Sequence, residues 1–232
     1  MRLAISRTEK QLTSLSIRAK ERGVEIIPLP LITIENIPFD LPADVNLEKV
    51  DWLLFSSAHG VEAFFTRLGQ LGLKKDYHTR IGTVGAKTAE AVCKLGYTVD
   101  FIPSEAYGKL FFPEFVDGPH EAGQTVLYAR GREINFDPLP LFNDRQIPYI
   151  PIVCYESTAN RLEPSAVKDL TGDDYILFTA PSSVRAYQQL FGAPKARIIA
   201  IGRTTAAEIE NYGWPVANIM ATASVDNILE YI

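Results

Sequence analysis

The sequence predicts an α/β fold of two similar lobes, each a parallel sheet flanked by helices, joined by a two-stranded connector with the active-site cleft between them. Three patterns carry that expectation. Short apolar runs are each followed by a polar turn and an amphipathic segment, the chain repeats itself internally, and two proline-interrupted extended segments occupy equivalent places in the repeat.

The repeat aligns the two halves at an offset of 123 residues: Leu3, Ile5 and Arg7 match Val126, Tyr128 and Arg130, and Ile27-Pro28-Leu29 match Ile150-Pro151-Ile152. At the same offset Asp51-Trp52-Leu53-Leu54-Phe55 matches Asp174-Tyr175-Ile176-Leu177-Phe178. Beyond a six-residue deletion the offset becomes 117, pairing Ile81, Val84, Gly85, Thr88 and Ala89 with Ile198, Ile201, Gly202, Thr205 and Ala206, and then Gly96, Val99 and Ala106 with Gly213, Val216 and Ala223. Shared order and spacing point to a duplication.

Each half reads as strand, helix, strand and then further strand–helix units. Ile26–Ile34 and Ile147–Tyr155 are β-branched and broken by prolines, which suits neither to the middle of a sheet. They read as connectors, the alternative being edge strands of one sheet. On the connector reading, residues 1–30 with 160–232 form one lobe and 36–147 the other, with 31–35 and 148–159 as a two-stranded hinge. Trp52–Phe55, Tyr175–Phe178 and Ile198–Ile201 look like strands buried on both faces. After Ser57, residues Val61, Phe64, Phe65 and Leu68 fall on one face of a helix, and Val184, Tyr187 and Phe191 repeat that spacing. In open parallel sheets ligands bind beyond the C-terminal strand ends, so the strand-to-helix turns are where function is sought.

Composition excludes several classes. With 232 residues, 47% of them hydrophobic and 22% charged, the chain has the apolar content of a packed globular protein. A net charge of −5 without any basic cluster argues against a general nucleic-acid surface. Cys93 and Cys154 sit among apolar neighbours without CxxC spacing and read as two buried thiols in a reducing compartment. The N-terminal residues lack a signal-peptide core, and no apolar run approaches the ~20 residues that span a bilayer, so a cytoplasmic protein without membrane partners is expected. His59, His78 and His120 show no metal-ligand spacing.

Four polar turns carry the candidate chemistry: Ser56-Ser57-Ala58-His59-Gly60, Gly85-Ala86-Lys87-Thr88, Thr179-Ala180-Pro181-Ser182-Ser183 and Gly202-Arg203-Thr204-Thr205. Free N–H groups at helix starts attract anions, although each turn taken alone is equally a plain N-cap. Together they suit a ligand with several anionic groups, which makes Ser56, Ser57, Thr88, Ser182, Ser183, Thr204 and Thr205 candidate binding residues. Gly85-Ala86-Lys87-Thr88 lacks the glycine pattern of a phosphate loop, with Arg80 where the first glycine belongs, so ATP is not implied. Arg7 and Arg130 each end a predicted strand and offer bidentate carboxylate binding. Tyr155 stands where the repeat has Ile32, placing a phenol at a connector; such a group donates a proton or hydrogen bond, or simply packs.

Taken in order, Ile5-Ser6-Arg7, Leu54-Phe55-Ser56-Ser57 with Val61, Val84–Ala89, Val153-Cys154-Tyr155, Phe178–Val184 and Ala200–Ala206 resemble the uroporphyrinogen-III synthase family across essentially the whole chain. The resemblance implies two α/β lobes joined by a two-stranded ladder, no metal or organic cofactor, and cyclisation of the linear tetrapyrrole hydroxymethylbilane to uroporphyrinogen III with loss of water and inversion of the last ring. It maps the family's invariant tyrosine onto Tyr155 as the catalytic residue, and family threonines onto Thr88 and Thr205. The substrate's carboxylates would meet the turns and Arg7 and Arg130. This sequence departs at Ser6, where threonine is usual, and at His59, where asparagine is common. A monomer is expected. A non-catalytic two-lobed protein for an acidic small molecule would show the same turns and arginines, and only Tyr155 and the resemblance favour the enzyme.

Overall fold

The structure, a computed structural model, describes residues 1–75, 78–105, 108–134 and 136–232; Ala106, matched to Ala223 in the repeat, lies outside them. The chain divides into two compact units, Met1–Thr33 with Thr158–Ile232, and Ile34–Ser157. It begins in the first with β1 (Arg2–Ile5), α1 (Glu9–Glu21) and β2 (Glu25–Pro28), and crosses to the second within β3 (Ile32–Asn36). There follow β4 (Trp52–Phe55), α2 (Ala58–Gln70), β5 (Arg80–Thr83), α3 (Ala86–Lys94), α4 (Gly108–Asp117), β6 (Val126–Gly131) and α5 (Leu139–Asp144). The long strand β7 (Tyr149–Ala159) carries the chain back to β8 (Tyr175–Phe178), α6 (Pro181–Phe191), β9 (Arg197–Ala200), α7 (Arg203–Asn211) and β10 (Val216–Ile219).

Each unit holds one sheet, ordered β10-β9-β8-β1-β2 in the first and β3-β7-β6-β4-β5 in the second. The pairings of β1 with β2 and β8, and of β4 with β5 and β6, are parallel, as are β8–β9, β9–β10 and β6–β7. Under the repeat β1, β2, β8 and β9 correspond to β6, β7, β4 and β5, so the two sheets have the same strand order. A parallel bridge between Gly82 and Phe101 takes the place of β10 in the second. Each unit thus unites the first part of one half with the second part of the other.

The strands are buried on both faces, which is why they read as continuous apolar runs. In the second unit Leu53 and Phe55 pack with Val61, Phe64 and Leu68 of α2, while Trp52 and Leu54 pack on the opposite face with Phe111 and Phe115 of α4. In the first unit Ile176 and Phe178 meet Val184 and Tyr187 of α6, and Leu3 and Ile5 meet Leu12 and Leu15 of α1.

The proline-containing segment at 148–159 forms strand β7, which stands between β3 and β6 in the strand order, and the chain passes between the units at Thr33/Ile34 in β3 and at Ser157/Thr158 in β7. The backbone bonds Ile37 N–H to Cys154 C=O, 2.8 Å, and Asn160 N–H to Leu31 C=O, 2.9 Å, bracket β3 and run in opposite chain directions, so β3 and β7 are antiparallel. In that register β3 faces the C-terminal part of β7, whereas β6 faces residues 149–155. Pro151 lies opposite Tyr128 with no β3 residue on its other side, so it occupies a local edge where proline is tolerated. Pro28 ends β2, an edge strand throughout. One expectation needs correction: Cys93, read as buried, is exposed, because Ala91 and Val92 take the buried face of α3 and helical spacing turns Cys93 outward. Cys154 is buried, its thiol pushed up to about 12 by desolvation, and both cysteines are free. Among the described residues no helix is long and apolar enough to cross a membrane and no cluster of His, Cys, Asp and Glu could hold a metal ion.

Candidate active site

Strand β4 runs out into consecutive serines, and alternation sends one hydroxyl to each face of the sheet. On the α4 face Ser56 Oγ lies 2.6 Å from the hydroxyl of Tyr128; on the α2 face Ser57 Oγ lies 2.7 Å from that of Tyr155. Ser57 also N-caps α2, its oxygen accepting from the N–H of Gly60 at 3.0 Å. One hydroxyl therefore fixes both the start of the helix and the tip of the phenol. Burial pushes the Tyr155 pKa up, opposed by the Ser57 hydrogen bond, so the phenol keeps its proton at neutral pH. Tyr128, fully buried, is pushed up to about 12.

Tyr128 was not singled out in the sequence, although the signal was there: it replaces Ile5 of the repeat just as Tyr155 replaces Ile32.

Neither Arg7 nor Arg130 has a carboxylate partner among the described residues. Arg7 follows β1, half-buried, its pKa lowered by desolvation, and its guanidinium has no hydrogen-bond or ion-pair partner among the described residues. Arg130 donates from Nη1 to the carbonyls of Gly131 and Arg132, at 3.1 and 3.2 Å, while its buried Nε has no partner among the described residues. Arg2, Arg67, Arg132 and Arg145, by contrast, all reach carboxylates. A desolvated guanidinium without a counter-charge is costly, and an anionic ligand removes that cost.

The four turns are not alike. Helices α3 and α7 start after Gly85 and Gly202, which offer no capping side chain, so their first N–H groups remain open to an acceptor. Thr88 and Thr205, in the first turn of each, are 5% and 3% exposed and, like Ser182 and Thr204, make no side-chain hydrogen bond among the described residues. Ser183 is committed to its own helix: its hydroxyl donates to the carbonyl of Ala180 at 2.6 Å and accepts from the Ala180 N–H at 3.3 Å. Ser56 and Ser57 are likewise engaged, with the tyrosines. Ser57 and Ser183 thus serve the starts of their own helices, while the hydroxyls of Thr88, Ser182, Thr204 and Thr205 are uncommitted among the described residues. Ser6 ties β1 to β8, its Oγ 2.9 Å from Thr179 Oγ1 and accepting from the Thr179 N–H at 2.8 Å.

Comparison with known proteins bears on this arrangement. The family model for uroporphyrinogen-III synthase HemD matches residues 13–230. A porphyrin biosynthesis protein HemD of Ruminiclostridium josui is 26% identical over 231 residues, covering 91% of this chain; the chain spans only 44% of that protein's length. A uroporphyrinogen-III synthase of Chlorobaculum parvum is 25% identical over 222 residues, 90% of this chain and 88% of that protein. Solved uroporphyrinogen-III synthases share the fold: one from Thermus thermophilus superposes with a TM-score of 0.69 at 18% identity, over 99% of this chain and 96% of that one. Another from Helicobacter pylori does so at 0.64 and 22%, over 99% and 97%. With a match that runs over nearly all of its length, the chain belongs to the uroporphyrinogen-III synthase family.

Proposed function

We propose that this protein closes hydroxymethylbilane to uroporphyrinogen III, with loss of water and inversion of the last pyrrole. The observation that carries the reading is the protonated phenol of Tyr155 held 2.7 Å from Ser57 in a member of this family. The hydroxymethyl C–O bond breaks as the pyrrole nitrogen lone pair moves in to form an azafulvene cation, and the departing oxygen needs a proton to leave as water. Tyr155 supplies that proton or a hydrogen bond to the leaving oxygen. The substituted α-carbon of the last pyrrole then attacks the cation to form a spiro intermediate. The bond from that carbon to its original bridge breaks, the bridge carbon rebonds at the ring's free α-carbon, and loss of that carbon's proton restores the pyrrole with the ring inverted. Much of the enzyme's work is to hold a flexible octa-acid folded against spontaneous closure to the uninverted isomer, which is positioning and electrostatics.

Arg7, Arg130, Thr88, Ser182, Thr204 and Thr205 are assigned to the carboxylates. The unpaired guanidiniums and the uncapped starts of α3 and α7 support that assignment. The reading includes a monomer working in the cytoplasm without cofactor or nucleic acid, since the reaction asks only for acid assistance and a fixed substrate shape. The test is to incubate the protein with freshly made hydroxymethylbilane and resolve the isomers. Uroporphyrinogen III is expected well above the uncatalysed background; isomer I alone, at the background rate, overturns the assignment.

A further inference from the structure

The duplication supplies an internal control for the phenol site. The residues that build it are Tyr155, its partner Ser57, Gly60, whose N–H donates to the Ser57 hydroxyl, and Gly131, whose missing side chain leaves room for the ring. A Cβ placed on Gly131 would lie 2.9 Å from Cζ, 3.0 Å from Cε2 and 3.1 Å from the hydroxyl oxygen of Tyr155. One placed on Gly60 would lie 3.2 Å from the carbonyl oxygen of Ala129, 3.4 Å from Ser57 Oγ and 3.6 Å from Tyr155 Cε1. Gly131 is not among the positive-φ glycines, so its backbone accepts alanine, and the three atoms nearest an added methyl all belong to the Tyr155 side chain. At the equivalent positions of the repeat, Tyr155, Ser57, Gly60 and Gly131 are replaced by Ile32, Ala180, Ser183 and Thr8. All four members of the site differ together. Even the cap has changed hands, since α6 uses the hydroxyl of Ser183 reaching back where α2 uses that of Ser57 reaching forward.

We infer that Gly131 is a positioning residue for the reaction: it fixes the plane of the Tyr155 ring, so that the phenol meets Ser57 and points its proton at one place. The inference rests on the proposed synthase activity. A methyl at Gly131 must push the ring by several tenths of an ångström or more, because real Cβ atoms do not approach within 3.0 Å. A displaced acid loses rate while the carboxylate contacts that bind substrate stay in place.

The experiment is a double-mutant cycle of Gly131→Ala with Tyr155→Phe, read as kcat and KM for isomer III, together with melting temperatures for Gly131→Ala in the wild-type and Tyr155→Ala backgrounds. Gly131→Ala is expected to lower kcat by about tenfold to a hundredfold with KM within about twofold. The double variant should be no slower than Tyr155→Phe alone, because both changes act through one group. With the ring deleted the added methyl has room, so Gly131→Ala should lower Tm in the wild type and leave it unchanged beside Tyr155→Ala. An unchanged kcat, losses that multiply in the double variant, or an equal fall in Tm in both backgrounds would each overturn the role. If Gly131→Ala fails to fold, recovery of folding beside Tyr155→Ala supports the contact and failure to recover overturns it. Wild-type protein that makes only isomer I defeats the activity reading instead, and the Tm arm then still decides the contact.

Discussion

Ser57 spends one hydroxyl on two partners, which makes its removal informative. Ser57→Ala strips the N-cap from α2, a loss of about 1 kcal/mol that chemical denaturation would register. It also frees the tip of Tyr155, so kcat should fall, though by less than in Tyr155→Phe, where the acid itself is gone. Turnover of Ser57→Ala equal to wild type would mean that the phenol is held by its pocket alone. Arg7 predicts the opposite division. Its guanidinium is partly desolvated and has no counter-charge among the described residues, so Arg7→Ala should leave Tm unchanged or slightly raised while raising KM for hydroxymethylbilane. A clear drop in Tm would show that Arg7 serves the fold rather than the substrate. At this scale the sequence was legible where a residue type broke the repeat, as Tyr155 does against Ile32. It was not legible where function depends on what lies across the sheet. Nothing in Ser56-Ser57 says that each hydroxyl will find a tyrosine, because Tyr128 and Tyr155 arrive from other strands.

At the level of elements, the repeat preserves a pin between strands. Asp51, just before β4, accepts from the Thr125 N–H at 2.7 Å, and Asp174, just before β8, accepts from the Arg2 N–H at 2.8 Å. Both carboxylates fasten the start of one parallel strand to the start of its neighbour. Asp174 goes further: it also takes Arg2 Nη2 at 2.7 Å and the Thr171 N–H at 2.9 Å. The Arg2 guanidinium and these N–H donors hold its carboxyl well below the usual carboxylate range. An unfolded aspartate titrates near about 3.9, so a folded value below that contributes stability at neutral pH, and the contribution drains away as pH falls through the folded value. Asp174→Asn should therefore lower Tm at pH 7, with a smaller deficit near about pH 3, where the wild-type carboxylate has begun to lose its advantage. A deficit that is constant with pH would assign the effect to hydrogen bonding rather than charge. Strands such as Trp52–Phe55 and helices such as α2 could be read from the chain because burial on two faces, or on one, leaves a period in the sequence. β7 could not. Whether Pro151 breaks a ladder depends on which neighbour covers it, and that is a property of register between strands far apart in sequence.

For the whole molecule, the exchange of halves makes the two units unequal in how they can fold. The second is one continuous stretch, carries its own sheet and two core layers, and falls in the ordinary size range of a domain. A fragment of residues 32–159, which keeps β3 and β7 entire, should therefore fold alone and melt cooperatively. The first unit is assembled from two distant pieces. Residues 158–232 supply β8, β9 and β10, but β1 and β2 come from the N-terminus, and β1 pairs directly with β8. Without residues 1–33 the edge of β8 is bare, and Leu177 and Ile199 lose the layer they share with Leu3, Ile5, Leu12 and Leu15. Full burial of a Leu or Ile is worth roughly 1.5–3 kcal/mol, so losing these four removes an amount comparable with the roughly 5–15 kcal/mol that stabilises a typical domain. Residues 158–232 should thus be unfolded or aggregated alone and gain structure when a 1–33 peptide is added, with amide NMR dispersion as the readout. A native-like spectrum from 158–232 alone would show that the N-terminal strands are an addition to a finished sheet rather than part of its making.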